Sequence, residues 1–143
     1  MFSMTPRAAL EADGWEAANA ISKELSGVGL SKQSYALVPK ILEVDALAGS
    51  DDRVIEVHPE VSFRALSGGP LRGSKKSWSG MTQRRSLLAT AGIELPDDLG
   101  EANGVPADDV LDAAVAAWSA NRYARGEARR LPAEGRELGV IWY

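Results

Sequence analysis

Two carboxylates and the chain's only histidine stand on and just after one short apolar run, Arg53-Val-Ile-Glu-Val-His-Pro-Glu-Val-Ser-Phe63; they are Glu56, His58 and Glu60. A second acidic cluster, Asp108-Asp109-Val-Leu-Asp112, follows later in the chain. Acids crowded at the end of an apolar strand need a compensating charge, and a divalent ion held between two chain segments is one way to supply it. Asp109 and Asp112 are three residues apart and therefore neighbours on one helical face. The small residues Ala113, Ala114, Ala116 and Ala117 would let that helix lie close against a sheet and bring Asp112 within reach of a strand acid.

All of these acids but Asp112, and the histidine, also have a plainer use. Asp108 and Asp109 fall in the first turn after Pro106, where negative charge complements the helix dipole by about 0.3–1 kcal/mol. Glu56 alternates with Ile55 and Val57 and so fits the solvated face of a strand. Glu60 follows Pro59 as an early-helix acid, and a lone histidine such as His58 is commonly a hydrogen-bonded structural residue.

Composition narrows what such a site could belong to. With 143 residues, 45% hydrophobic and 25% charged, the chain is expected to form a single domain, residues 1–143, around one core. A net charge of -4 gives no global attraction to polyanions, so binding to one needs a local patch. The absence of cysteine excludes disulfides, thiolate metal sites and cysteine nucleophiles. No apolar run is long enough to span a bilayer and no signal pattern opens the chain, so no membrane partner and a cytoplasmic location are expected.

The elements that must position the acids are mostly helical. Thr5 and Pro6 open a short helix over residues 7–13 that Gly14 ends. Trp15 to Leu25 carries Ala18, Ile21 and Leu25 at helical spacing, closed by Ser26-Gly27. Ser31 caps a helix to about Leu47 with Ala36, Leu37, Ile41 and Val44 near one face, and Pro39 should kink or split it. Val54, Ile55 and Val57 make a strand stopped by Pro59, and a brief helix follows over residues 60–66. After a loop from Leu71 to Trp78, Ser79 is expected to cap a helix through Met81, Leu87 and Leu88. Pro106 opens the most regular helix, with Leu111, Ala114, Val115 and Trp118 as its apolar stripe. The last apolar run, residues 139–143, reads as a second strand.

Two strands do not bury a sheet face, since about three or more are needed. Large aromatic residues, Trp15, Tyr35, Trp118, Trp142 and Tyr143, are many for this length, and an unpaired Val140–Trp142 strand would present open backbone groups. Self-association into a homo-oligomer is therefore expected.

The order of motifs resembles the carboxy-terminal part of the family catalogued as Domain of Unknown Function 429, predicted nucleases with a ribonuclease H-like fold. The resemblance rests on Glu43-Val-Asp45, Glu56-Val-His-Pro-Glu60 with Ser62-Phe63, and Gly68-Gly69-Pro70-Leu71. It continues through Ser74-Lys75-Lys76, Asp108-Asp109-Val-Leu-Asp-Ala113 with Ala116-Ala117-Trp118, and Ile141-Trp142-Tyr143. It implies an α/β class: a helix-rich, partial ribonuclease H-like fold with few strands, its sheet completed by self-association or by an amino-terminal segment. It also implies phosphodiester hydrolysis by Mg2+ or Mn2+ ions about 3.5–4 Å apart. Glu56, Glu60, Asp109 and Asp112 are then the catalytic candidates, with Glu56, Asp109 and Asp112 as metal ligands. Full-length relatives add an earlier acid-bearing strand whose aspartate bridges both ions, and no such strand occurs in this sequence.

Between Val61 and Ile93 lie Arg64, Arg72, Lys75, Lys76, Arg84 and Arg85 without an acid, with Trp78 available to stack on a base. Arg72, Lys75, Lys76 and His58 are the candidates for contact with nucleic acid. Two expectations result: a metal-dependent nuclease-like hydrolase, inactive where the first-strand aspartate is required, or a non-catalytic oligomeric or nucleic-acid-binding protein built on the same scaffold.

Overall fold

The computed structural model describes residues 5–133 and 140–143, grouped into two compact units, Met1–Val54 and Ile55–Tyr143. The opening residues 1–4 and Gly139, the expected start of the last strand, lie outside the described residues.

The first unit contains α1 (Arg7–Leu10), α2 (Trp15–Ser26), α3 (Lys32–Tyr35) and α4 (Val38–Ala48). Gly27 closes α2 in the left-handed conformation at φ 73°, which glycine adopts without a Cβ penalty. Ser31 Oγ accepts from the Ser34 backbone N–H at 3.0 Å, the expected cap. The helix expected over residues 32–47 is split, and Pro39 sits in the first turn of α4, where a missing N–H leaves no bond unmade. The buried apolar residues are few and mostly small: Ala9, Ala18, Leu30 and Val38. Polar bonds stitch the unit: Trp15 Nε1 donates to the Leu30 carbonyl at 2.8 Å, and Asn19 Oδ1 accepts from the Leu30 N–H at 2.9 Å. Leu37, Ile41 and Val44, expected along one face, are exposed.

The second unit runs β1 (Glu56–Val57), α5 (Pro59–Leu66), α6 (Trp78–Thr90), a 3-10 turn (Gly100–Gly104), α7 (Ala107–Ala124), β2 (Arg130–Leu131) and β3 (Ile141–Trp142). Its core is Phe63 from α5, Leu88 from α6, and Leu111 and Val115 from α7, with Leu66, Met81, Ala114 and Trp118 packed around them. The stripe read from α7's sequence is thus the face that is buried. A buried hydrogen bond from Ser119 Oγ to Ser62 Oγ, 2.8 Å, ties α7 to α5.

The sheet corrects two expectations. Arg130–Leu131 is a third strand, giving the order β1-β3-β2. The last strand is therefore central: β3 pairs with β1 in parallel, Glu56 opposite Ile141, and with β2 antiparallel, Leu131 opposite Ile141. Backbone bonds between Arg129 and Tyr143 extend the second ladder, so β3 does not present the open edge expected of it. The ring of Trp142 meets that of Tyr123 edge-on at 4.8 Å. The class is α/β, helix-rich with a small mixed sheet.

The cap of α6 is a third correction. Ser77, not Ser79, takes that role, its Oγ accepting from the Gly80 N–H at 3.1 Å, and the helix begins at Trp78.

Candidate functional site

The acids and cations of the second unit meet in two places. The first is built around Arg84, a guanidinium only 2% exposed, carried into the interior by the middle of α6. Its Nε and Nη2 donate to Glu60 Oε1 at 3.1 and 2.9 Å, and Nη2 also donates to Oε2 at 2.7 Å. Its Nη1 donates to the carbonyls of Gly73 and Gly80 at 3.1 and 3.0 Å, and the group lies over the Phe63 ring at 5.5 Å. A charge removed from water is stable only when paired and hydrogen-bonded in this way. Both oxygens of Glu60 are committed to that work, so its position in the first turn of α5 anchors α5 to α6.

Gly73 and Gly80 make this arrangement sterically possible. The loop after α5 crosses the first turn of α6 backbone against backbone. A Cβ on Gly80 would stand 1.9 Å from the Ser74 carbonyl oxygen, and one on Gly73 would stand 2.8 Å from the Gly80 Cα. This crossing fixes the path of the segment that carries Lys75.

At the second meeting place, Lys75 Nζ donates to Asp112 Oδ2 at 2.8 Å and lies 3.6 Å from Asp108 Oδ2. The hydrogen bond to Asp112 holds the Lys75 ammonium above the ordinary lysine range against the opposing pull of partial desolvation, and the charges of Asp112 and Asp108 add to it. Asp112 Oδ1 is buried and has no hydrogen-bond partner among the described residues. The helix places Asp108 and Asp112 one turn apart, so a single cation can serve both.

The other candidates are more dispersed. Glu56 lies on the exposed side of β1, as alternation predicts. Asp109 is exposed in the first turn of α7, the position that complements the helix dipole. His58 is half-buried at the N-terminal boundary of α5, and its carbonyl accepts from the N–H groups of Val61 and Ser62 at 2.9 and 3.0 Å. Arg72 and Lys76 are exposed, and the Arg72 N–H donates to Gln83 Oε1 at 3.1 Å. Trp78, at the start of α6, is 83% exposed.

The fit to a divalent metal can be judged from these donors. The buried, unpartnered Asp112 Oδ1 is a suitable oxygen, but Lys75 already supplies positive charge to that carboxylate and to Asp108. Glu60 is taken by Arg84. Among the described residues no group of three or more histidines and acids is gathered closely enough to hold a metal ion, whereas Mg2+ or Ca2+ sites need several oxygens. The donor set of the described residues therefore does not fit the two-ion arrangement.

The pairing of Arg84 with Glu60 and the close approach of Gly73 to Gly80 escaped the sequence reading. The signal for the first was an arginine in the interior stripe of α6, four residues before Leu88. Among the described residues, no helix is long and apolar enough to cross a membrane.

A family model described as Protein of unknown function (DUF429) matches residues 1–137. No curated protein and no solved structure matches the chain.

Proposed function

The chain belongs to the DUF429 family, and from that premise we propose that it acts as a nucleic-acid-binding protein whose own acids serve the scaffold and do not cut phosphodiester bonds. The observation that supports this reading is the Lys75 ammonium, lodged against Asp112 at 2.8 Å and Asp108 at 3.6 Å. It takes the charge-compensating place that a catalytic ion would need. The adjoining residues Arg72, Lys76 and Trp78 are exposed and offer two cations and a stacking surface on one short stretch. Cationic side chains hold the phosphate backbone, and aromatic stacking holds a base irrespective of its identity.

Fluorescence anisotropy with labelled single-stranded DNA and RNA tests the binding. The expected result is salt-sensitive binding. Trp78→Ala should weaken it by roughly 1–3 kcal/mol through lost stacking, and Lys76→Ala should reduce the salt slope by about one phosphate contact. Calorimetric titration with Mg2+ and Mn2+, alongside cleavage assays on single-stranded, double-stranded and branched substrates, tests the other half. Metal binding together with cleavage would overturn the scaffold role and restore a metal-dependent nuclease.

A further inference from the structure

A second charged region lies in the same unit, and no acidic side chain lines it among the described residues. It is a cavity of ≈ 590 Å³ bounded by Val61, Arg64 and Ala65 of α5, Gly68 and Gly69 beyond it, Arg122 of α7, and Arg129, Leu131 and Tyr143 of the sheet end. Three arginines from three separate segments converge on one concavity whose volume lies within the roughly 300–1,000 Å³ of small-ligand pockets.

Like charges are brought together at an electrostatic cost, so the state of each guanidinium matters. Arg122 is oriented by its surroundings: its Nη2 donates to the Glu127 carbonyl at 2.6 Å, and the group lies over the Trp118 ring at 4.7 Å. Its Nε is nevertheless buried without a hydrogen-bond partner among the described residues. A buried, unspent donor on a cation is costly unless an acceptor meets it. Arg64 and Arg129 form no ion pair among the described residues, whereas Lys75, Arg84 and Arg85 each do.

A plainer use exists for two of the three. Arg64 and Arg122 stand in the last turns of α5 and α7, where cations complement the helix dipole. That use does not neutralise the cavity. Two helix ends contribute about half a negative charge each, and the Tyr143 carboxylate adds one more, which together do not offset three full positive charges. Arg129 follows no helix end and is placed by its backbone pairing with Tyr143, 2.7 and 2.9 Å.

The shape adds a second requirement. Val61, Ala65 and Leu131 give the cavity an apolar wall, and Tyr143 brings an aromatic residue to it. Guanidinium forks match phosphate oxygens in pairs, and an apolar wall suits a sugar and base better than bulk water. We propose that this cavity binds a nucleoside 5′-phosphate, either as a free mononucleotide or as the phosphorylated 5′ end of a nucleic acid. The mononucleotide form stands without the preceding function; the nucleic-acid form rests on it.

Calorimetry on the full chain with adenosine 5′-monophosphate, inorganic phosphate and adenosine provides the first arm. The monophosphate should bind, phosphate should bind more weakly, and adenosine should not bind. Arg64→Gln and Arg129→Gln, both at exposed positions, should each weaken the monophosphate by about tenfold or more, the loss expected for a charge-assisted contact. Thermal melting of each variant should match that of the wild type. Failure of the monophosphate and phosphate to bind at millimolar concentration, or equal binding by a variant carrying both substitutions, would sink the proposal.

The second arm compares oligonucleotides with a 5′-phosphate and a 5′-hydroxyl. Tighter binding of the phosphorylated form, lost in Arg64→Gln, supports the nucleic-acid form. If both forms bind equally and the mononucleotide does not bind, the cavity assignment falls while nucleic-acid binding stands. If the mononucleotide alone binds, the cavity assignment stands and the nucleic-acid reading falls.

Discussion

The two charged regions of the second unit use the same residue types to opposite ends. Arg84 and Lys75 each have an acid: Glu60 for the buried guanidinium, Asp112 and Asp108 for the ammonium. Around the cavity, Arg64, Arg122 and Arg129 converge with no acidic side chain lining it among the described residues. Paired charges add little net field and much geometry, because each bond fixes where one segment lies against another. Unpaired charges fix little and leave a field that a ligand can answer. Charge count along the sequence therefore says less about function than the pairing reached in the fold.

That contrast can be broken from its structural side first. Gly80→Ala should have the largest effect, since the added carbon would stand 1.9 Å from the Ser74 carbonyl and only movement of backbone can relieve it. A loss of about 3 kcal/mol or more is expected, with failure to fold the extreme outcome, and urea unfolding checks it. An unchanged midpoint would show that the loop does not cross there.

Glu60→Ala follows closely. It would strand the guanidinium of Arg84, and leaving a charged donor without its partner in a pair whose acid is 34% exposed costs about 2–3 kcal/mol. The same unfolding curves report it, and Arg84→Met in the Glu60→Ala background should recover part of the loss by removing the orphaned charge. No recovery would mean that Glu60 acts through something besides Arg84.

Lys75→Ala should be the mildest, about 1 kcal/mol, because the ion pair is partly exposed. The pH dependence has a definite sign. Lys75 is raised above the ordinary lysine range by Asp112 first, so its contribution is complete at neutral pH and is lost as alkaline pH passes through the raised value. Thermal melts of wild type should therefore fall toward the variant's only at strongly alkaline pH. A gap that closes near neutral pH would contradict the pairing.

Local rules made much of this legible in advance. The α7 stripe of Leu111, Ala114, Val115 and Trp118 follows from helical spacing, and the acid alternation at Glu56 follows from the pleat. The break between Tyr35 and Val38 follows from Pro39, which a helix accommodates in its first turn but not in its interior. What could not be read depends on segments distant in sequence. Arg130–Leu131 is too short and too polar around its edges to announce a strand, and it exists because β3 offers a partner. Arg84 looked like one more cation in a basic run, and only the fold sets it 24 residues away against Glu60. The cavity arginines are harder still, for Arg122 and Arg129 lie outside that run altogether. The stripe of Leu37, Ile41 and Val44 shows the converse, a clear helical period on residues that stay exposed.

The register of Glu56 with Ile141 has a kinetic consequence. The parallel ladder joins the first strand of the unit to the last, so it cannot close until nearly the whole unit has been made. Long-range pairing carries a loop-closure entropy that local helices do not. The helices α5, α6 and α7 should therefore gather first and the sheet should zip last, with amides of Ile141 and Trp142 among the earliest to exchange when the unit opens. Arg129, Leu131 and Tyr143 stand on the β2–β3 ladder, whose partners are close in sequence, so this side of the cavity wall reaches its place in the unit only when the parallel ladder closes.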